Sequence, residues 1–225
     1  MARGSGVLSA TAGDLREART LTNRELAAEA INERRAHQKP AELESLIALV
    51  RERRPRTVVE IGTHEGGTLY ALCQAADPEA MLVSIDLPGG MWGGGYSRRE
   101  ARRFRGYAQP GQALHTLRRN SQKPRTVRKL RSLLDGRGID FLMIDGDHSY
   151  EGVKRDWELY EPLVSSGGVI AFHDIIKHPA ETMVEVDRFW SELVDVQPTA
   201  EFTDPGHDRG QGPWGGIGVV FKQAD

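Results

Sequence analysis

The sequence predicts an α/β protein: a doubly wound, mostly parallel sheet that ends at one edge in an antiparallel hairpin. Three observations carry this. Two apolar runs of strand length, IDFLMIDGDH (Ile139 to His148) and GGVIAFHDI (Gly167 to Ile175), stop abruptly at acidic and imidazole side chains, as buried parallel strands do when they deliver polar groups to a sheet's carboxyl edge. Between them Val153, Trp157, Tyr160 and Val164 fall at helical spacing, so the unit reads strand, helix, strand. A right-handed crossover then brings Asp145, Asp147 and His148 close to His173 and Asp174. The third observation is TVVEIGTHEGGTLYAL, Thr57 to Leu72, which reads strand, tight glycine turn, helix. Open α/β sheets bind ligands at the carboxyl edge these segments share.

The 225 residues suit one α/β domain with a real core. Residues 1–54 read as a helical extension packed on a core of residues 55–225. The formal charge of -2 gives no overall pull toward nucleic acid or membrane. Basic residues nevertheless crowd one region: Arg98, Arg99, Arg102, Arg103, Arg105, Arg118, Arg119, Lys123, Arg125, Arg128, Lys129 and Arg131. A single cysteine, Cys73, excludes an internal disulfide and reads as a small buried helix residue. No segment approaches the roughly 20 apolar residues of a membrane span, and the amino terminus has no signal-peptide core. A soluble, cytoplasmic protein is expected.

The elements follow in order. Residues up to about Leu21 are small and polar, apart from a short helix around Leu15. Thr22 and Glu25 form a capping-box pattern ahead of a helix with Leu26, Ala27, Ala30 and Ile31. A second helix starts near Pro40, shows Leu43, Leu46, Ile47 and Val50 on one face, and ends before Pro55. These two helices are expected to cap a face or an edge of the sheet, or to join a subunit interface. Strands at Met81 to Asp86 and Ala113 to Leu117 flank an arginine-rich helix. A further helix spans Pro124 to Leu134, with Val127, Leu130 and Leu134 inward. Val186, Phe189, Trp190 and Leu193 mark a late helix, and short strands near Ala200 to Thr203 and Ile217 to Phe221 form the edge hairpin. The glycine-rich stretches Leu87 to Ser97 and Asp204 to Gly216, with Trp92, Tyr96 and Trp214, are expected to order over the acceptor pocket.

Glu60, Gly62 and Gly66 are spaced E-x-G-x-x-x-G, where glycines let backbone amides and a helix amino terminus approach a ligand. His64 stands where a dinucleotide fingerprint has its middle glycine, which lowers the odds of a dehydrogenase. Asp86, about twenty positions beyond the turn, is placed to accept hydrogen bonds from ribose hydroxyls. Together EIGTHEGGTL, Asp86, the pair Asn120 and Ser121, IDGDHSYEGVKRD and GGVIAFHDI resemble a class I S-adenosylmethionine-dependent methyltransferase with a Rossmann-like sheet, over residues 55 to 178. The G-x-x-x-G turn is similar to that of metal-dependent, catechol-type O-methyltransferases. The glycine-rich loop with DGDHSYEG resembles the cephalosporin hydroxylase and sugar O-methyltransferase branch of natural-product pathways.

The resemblance implies that Glu60 orients the amino-acid end of S-adenosylmethionine, Gly62 and Gly66 permit close approach, and Asp86 holds the ribose. Asn120 and Ser121 would lie near the adenine, although the aspartate often found there is missing. Asp145 counts among the cofactor-side residues and, with His173 and Asp174, supplies the ligands of a divalent cation. A histidine in place of an oxygen ligand widens the candidates from magnesium to manganese, iron or zinc. His148, assisted by Asp147, is the candidate general base for a small-molecule hydroxyl. Three other functions compete. Nucleic-acid methylation fits the arginines, but DGDH replaces the Asn-Pro-Pro-Tyr type motif, so nucleic acid is disfavoured. A metal-dependent oxygenase explains the ligands but not the glycine turn. A noncatalytic cofactor-binding subunit predicts binding without turnover. A homo-oligomer stays open, and no membrane partner is expected.

Overall fold

The computed structural model describes residues 20–90, 94–207 and 214–223. Its strands are β1 (Thr57–Ile61), β2 (Met81–Asp86), β3 (Ala113–Arg118), β4 (Ile139–Ile144), β5 (Val164–His173), β6 (Thr199–Phe202) and β7 (Ile217–Phe221). They form a seven-stranded sheet in the order β3-β2-β1-β4-β5-β7-β6. The pairs from β3 to β5 are parallel, and β7 runs antiparallel to both β5 and β6. This is the expected doubly wound sheet with its edge hairpin. Every position of β1 is buried, because helices cover both faces of a parallel sheet and leave no solvent side for alternation.

One face is covered by α1 (Asn23–Asn32), α2 (Pro40–Arg53), α3 (Gly67–Ala75) and α4 (Arg98–Phe104). The other is covered by α5 (Pro124–Leu134), α6 (Tyr150–Tyr160) and α7 (Val186–Val194). The amino-terminal helices therefore cap a face. Thr22 and Glu25 make the reciprocal cap of α1, and Leu26, Leu43 and Leu46 share one core with Val58 and Leu69. The amino end of α2 also holds both described ends of the β6–β7 connection: the Ala41 amide donates to Asp204 at 3.2 Å, and the Gly216 amide to Glu42 at 2.9 Å. Cys73 is buried, and no helix among the described residues is long and apolar enough to cross a membrane.

Two expectations change. β5 begins at Val164 rather than Gly167, with a register shift against β4 between Ile139 and Phe141; Gly167, at φ +76°, accommodates the irregularity while its amide bonds to Lys222. Tyr96, expected over the acceptor pocket, is buried in the core. Its hydroxyl donates to the Ser84 carbonyl and accepts from the Ser84 hydroxyl, and its ring meets Phe104 edge-on at 5.1 Å. An aromatic body with a satisfied hydroxyl gains more inside than over a pocket. The expectations for Leu15, for Trp92 and for residues 208–213 of the second glycine-rich stretch lie outside the described residues.

Candidate active site

β1 hands the chain to Gly62, whose φ of +86° favours glycine and whose Cβ would fall 1.8 Å from the Asp145 carbonyl oxygen. Any side chain here would force apart the ends of β1 and β4. Gly66 answers a different demand: its missing Cβ leaves room for the Phe104 ring, which would lie 2.4 Å away. The turn amides of Thr63 and His64 both donate to Asp86 Oδ2, at 3.0 and 2.6 Å. Burial raises the Asp86 pKa, with those amides and that of Leu87 working against it. Glu60 is buried beneath the turn, with Oε2 accepting from Thr63 Oγ1. Burial pushes its carboxyl up to about 8, and the nearby Asp145 and Asp86 charges add to the rise despite the Thr63 bond.

A cavity of about 180 Å³ opens at the carboxyl ends of β1 and β2. Gly62, Asp86, Asn120, Ser121 and Asp147 border it, and so do Leu87 and Gly95 of the glycine-rich stretch, Arg119 of the basic region, and Gln122, which sequence reasoning did not single out. Glu60, Gly66 and Asp145 lie outside this lining. Asp147 is on the cavity side: its Oδ1 accepts from the Ser149 amide and hydroxyl, and its Oδ2 from Gln122 at 3.2 Å. That turn starts α6, with Ser149 as its cap.

One strand over, Asp145, His148 and Asp174 converge, with one ligand atom from each within 4.8 Å of the others. His148 Nδ1 lies 2.8 Å from Asp174 Oδ2, and its Nε2 lies 3.4 Å from Asp145 Oδ1. His173 Nδ1 faces the same carboxylates at 3.3 and 3.5 Å, from a buried position. The structure thus brings all four predicted residues together and puts His148 in direct contact with both acids. Three further residues complete the cluster: His178 Nε2 is 3.1 Å from Asp174 Oδ1, the Gln38 amide donates to Asp145 Oδ2 at 3.0 Å, and buried Glu42 adds negative charge near His173. The repeat of histidine in FHDIIKH was a signal for His178. Gln38 and Glu42 gave none beyond their place at the start of α2.

The electrostatics follow from burial and pairing. Burial lowers the His173 pKa, but the Asp174 and Asp145 charges outweigh it and carry the imidazole to about 10. His148 is raised by the same contest between burial and the two acids. Burial opposes ionisation of Asp174, yet His173, His148 and His178 hold it well below the usual carboxylate range. Protons on imidazoles therefore balance the two carboxylates. A divalent cation fits the same donor set, since carboxylate oxygens and neutral imidazoles ligate manganese, iron or zinc.

A family model described as a methyltransferase domain matches residues 59–175, just over half of the chain. The chain belongs to this methyltransferase family. Its fold is similar to the O-methyltransferase TomG of Streptomyces achromogenes, solved with S-adenosylmethionine, at TM-score 0.59 and 18% identity over 90% of both chains. An O-methyltransferase from Bacillus cereus, solved with S-adenosylhomocysteine, gives TM-score 0.56 and 18% identity over 89% of this chain and 90% of that one. These likenesses establish the methyltransferase fold. Among curated relatives, the uncharacterised protein y4gI of Sinorhizobium fredii is 30% identical over 171 residues, 74% of this chain and 18% of the relative. The uncharacterised protein R132 of Acanthamoeba polyphaga mimivirus is 34% identical over 118 residues, 52% of this chain and 51% of the relative. The chain thus spans about half or less of these curated relatives.

Proposed function

We propose that the protein is an S-adenosylmethionine-dependent O-methyltransferase acting on a hydroxyl of a small molecule, with a divalent cation at the acceptor edge. One observation carries the reading: Gly62 borders the cavity at the ends of β1 and β2 and at the same time packs on the Asp145 backbone, whose side chain belongs to the acid–histidine cluster. A methyl donor in the first place faces an acceptor in the second. Gly62, Asp86, Asn120 and Ser121 hold the nucleoside, and Asp145, His173 and Asp174 hold the cation, which leaves His148 as the base. The bound cation supplies Lewis-acid stabilisation of a developing oxyanion.

The acceptor oxygen attacks the methyl carbon in line as the carbon–sulfur bond breaks, the sulfonium becomes a neutral thioether, and the hydroxyl proton leaves. Positioning is worth roughly 7–11 kcal/mol of the barrier. His148 takes the proton in the fraction of molecules whose ring is neutral, and the carboxylates beside it stabilise the imidazolium that forms. An acceptor has room in a cavity of about 630 Å³ bordered by Ser149, His178, Met183, Glu185 and Arg188. This wall is pinned to the site, because the Glu185 amide donates to the His148 carbonyl at 2.8 Å. Its mixture of apolar and hydrogen-bonding groups suits a ring bearing hydroxyls, a sugar or a phenolic natural-product intermediate.

The test is methyl transfer to hydroxylated acceptors with and without chelator. Transfer should stop in chelator and return with manganese or magnesium. Asp145→Ala and Asp174→Ala should lose turnover while calorimetry still finds S-adenosylmethionine bound. Full turnover in chelator would overturn the metal assignment, and tight binding of a nicotinamide dinucleotide instead would overturn the cofactor.

A further inference from the structure

On the outer side of the glycine turn lies a second group of metal-ligating side chains that the reaction does not use. His37, in the segment between α1 and α2, and His64, in the turn, meet edge-on with ring centroids 4.7 Å apart. Glu65 completes the group, with Oε2 at 3.6 Å from His37 Nε2. One ligand atom from each lies within 4.8 Å of the others. A point equidistant from three such atoms is about 2.8 Å from each, so a contraction of under about 1 Å per ligand reaches the 2.0–2.2 Å of zinc bonds to nitrogen and oxygen. His37 is free to supply much of that movement, being 60% exposed at its side chain.

The chemistry of the three groups is selective. Two imidazoles and one carboxylate suit zinc or another late transition cation and are a poor site for magnesium or calcium, which take oxygen donors. The Arg35 guanidinium holds Glu65 Oε1 and leaves Oε2 turned to His37. His64 occupies a left-handed backbone conformation, φ +48°, where a glycine would cost less. The position that departs from the dinucleotide fingerprint is therefore also the one that projects an imidazole toward His37.

We propose that His37, His64 and Glu65 form a zinc site separate from the acid–histidine cluster at β4 and β5, with water completing a tetrahedral shell. A cation here ties the α1–α2 connection to the cofactor turn. The tie is one residue from Gln38, which bonds both Thr68 at the start of α3 and Asp145. Occupancy therefore stiffens the two segments that frame the methyl-donor side without touching the reacting atoms.

The experiment counts zinc bound to metal-stripped full-length protein, by calorimetry in excess magnesium. His64→Gly is the decisive variant, since glycine suits the backbone there and the fold has no reason to fail. His64→Gly and His37→Ala should each lose one zinc equivalent, or weaken it at least tenfold, relative to wild type. Asp145→Ala/Asp174→Ala should retain that equivalent, and X-ray absorption on this variant should report imidazole ligation. Equal zinc counts and affinities in wild type, His64→Gly and His37→Ala overturn the site, as does absence of zinc from the Asp145→Ala/Asp174→Ala variant when its circular dichroism is native. None of these readouts depends on methyl transfer.

Discussion

At position 60 a carboxyl group at 1% exposure has its ionisation moved from the ordinary 4.5 up to about 8. Between those two values the folded protein keeps a proton that the unfolded chain has released, so stability is full below about 4.5 and falls as pH rises through 8. The slope is at most about 1.4 kcal/mol per pH unit. Glu60→Gln should abolish it: urea unfolding at about pH 5, 7 and 9 is expected to show the variant gaining on wild type as pH rises. An unchanged slope would mean that Glu60 is ionised in the fold. Asp86 makes a different demand. Its carboxylate fixes the Thr63 and His64 amides and also borders the cavity, so Asp86→Ala should weaken S-adenosylmethionine binding by about 1.5–3 kcal/mol, one charge-assisted pair. Calorimetry giving wild-type affinity would place the ribose elsewhere. The sequence revealed Asp86 because a strand ended on it, whereas the shifted ionisation of Glu60 depends on what the fold stacks around it.

Among the elements, α2 departs most from its appearance in sequence. Its periodic leucines marked a helix packed on a sheet, and it is one. Nothing in the periodicity marked the polar residues at its amino end, because their partners are far off in the chain: Gln38 meets Asp145 and Thr68, Lys39 meets Asp204, and Glu42 meets Gly216. Gln38 is 1% exposed and bonded at both ends of its amide. Gln38→Ala should cost about 1–3 kcal/mol of stability, the range for stranding a buried polar partner. It should also depress turnover more than cofactor affinity, since Asp145 loses the donor that orients it. Denaturant melts beside paired binding and rate measurements check this; normal turnover would reduce Gln38 to a structural bond. The strands were the legible elements, because each apolar run ended at a polar residue. The start of β5 was not, since Val164 continues the helical spacing of Val153, Trp157 and Tyr160 and so hides the strand residues ahead of the glycine pair.

In the whole molecule, the arginine-rich region takes a definite place. Arg98 to Arg105 lie on and just beyond α4, and Arg125 to Arg131 on α5, on opposite layers beside the β3 edge. Asp145 and Asp174 follow β4 and β5, on the other side of β1, so this cationic edge is not the wall of the acid–histidine cluster. Only Arg119 of the group borders the cavity at the carboxyl ends of β1 and β2.

The division of the helices between the two faces also has a consequence for how the chain is made. Every helix of the first layer precedes residue 105 and every helix of the second follows residue 123. Val58 must pair with Phe141, roughly 80 residues later, which a ribosome supplies in about 4–16 s at 5–20 residues per second. Between the end of α4 and the start of α5, β1 and β2 have their first layer of helices but no second one. The nascent sheet shows Val59, Ile61, Val83 and Ile85 on a bare face and offers an unpaired strand edge at β1. Pausing or truncation between α4 and α5 would therefore leave a half-clad sheet, a form of this polypeptide with a strong tendency to stick to its neighbours.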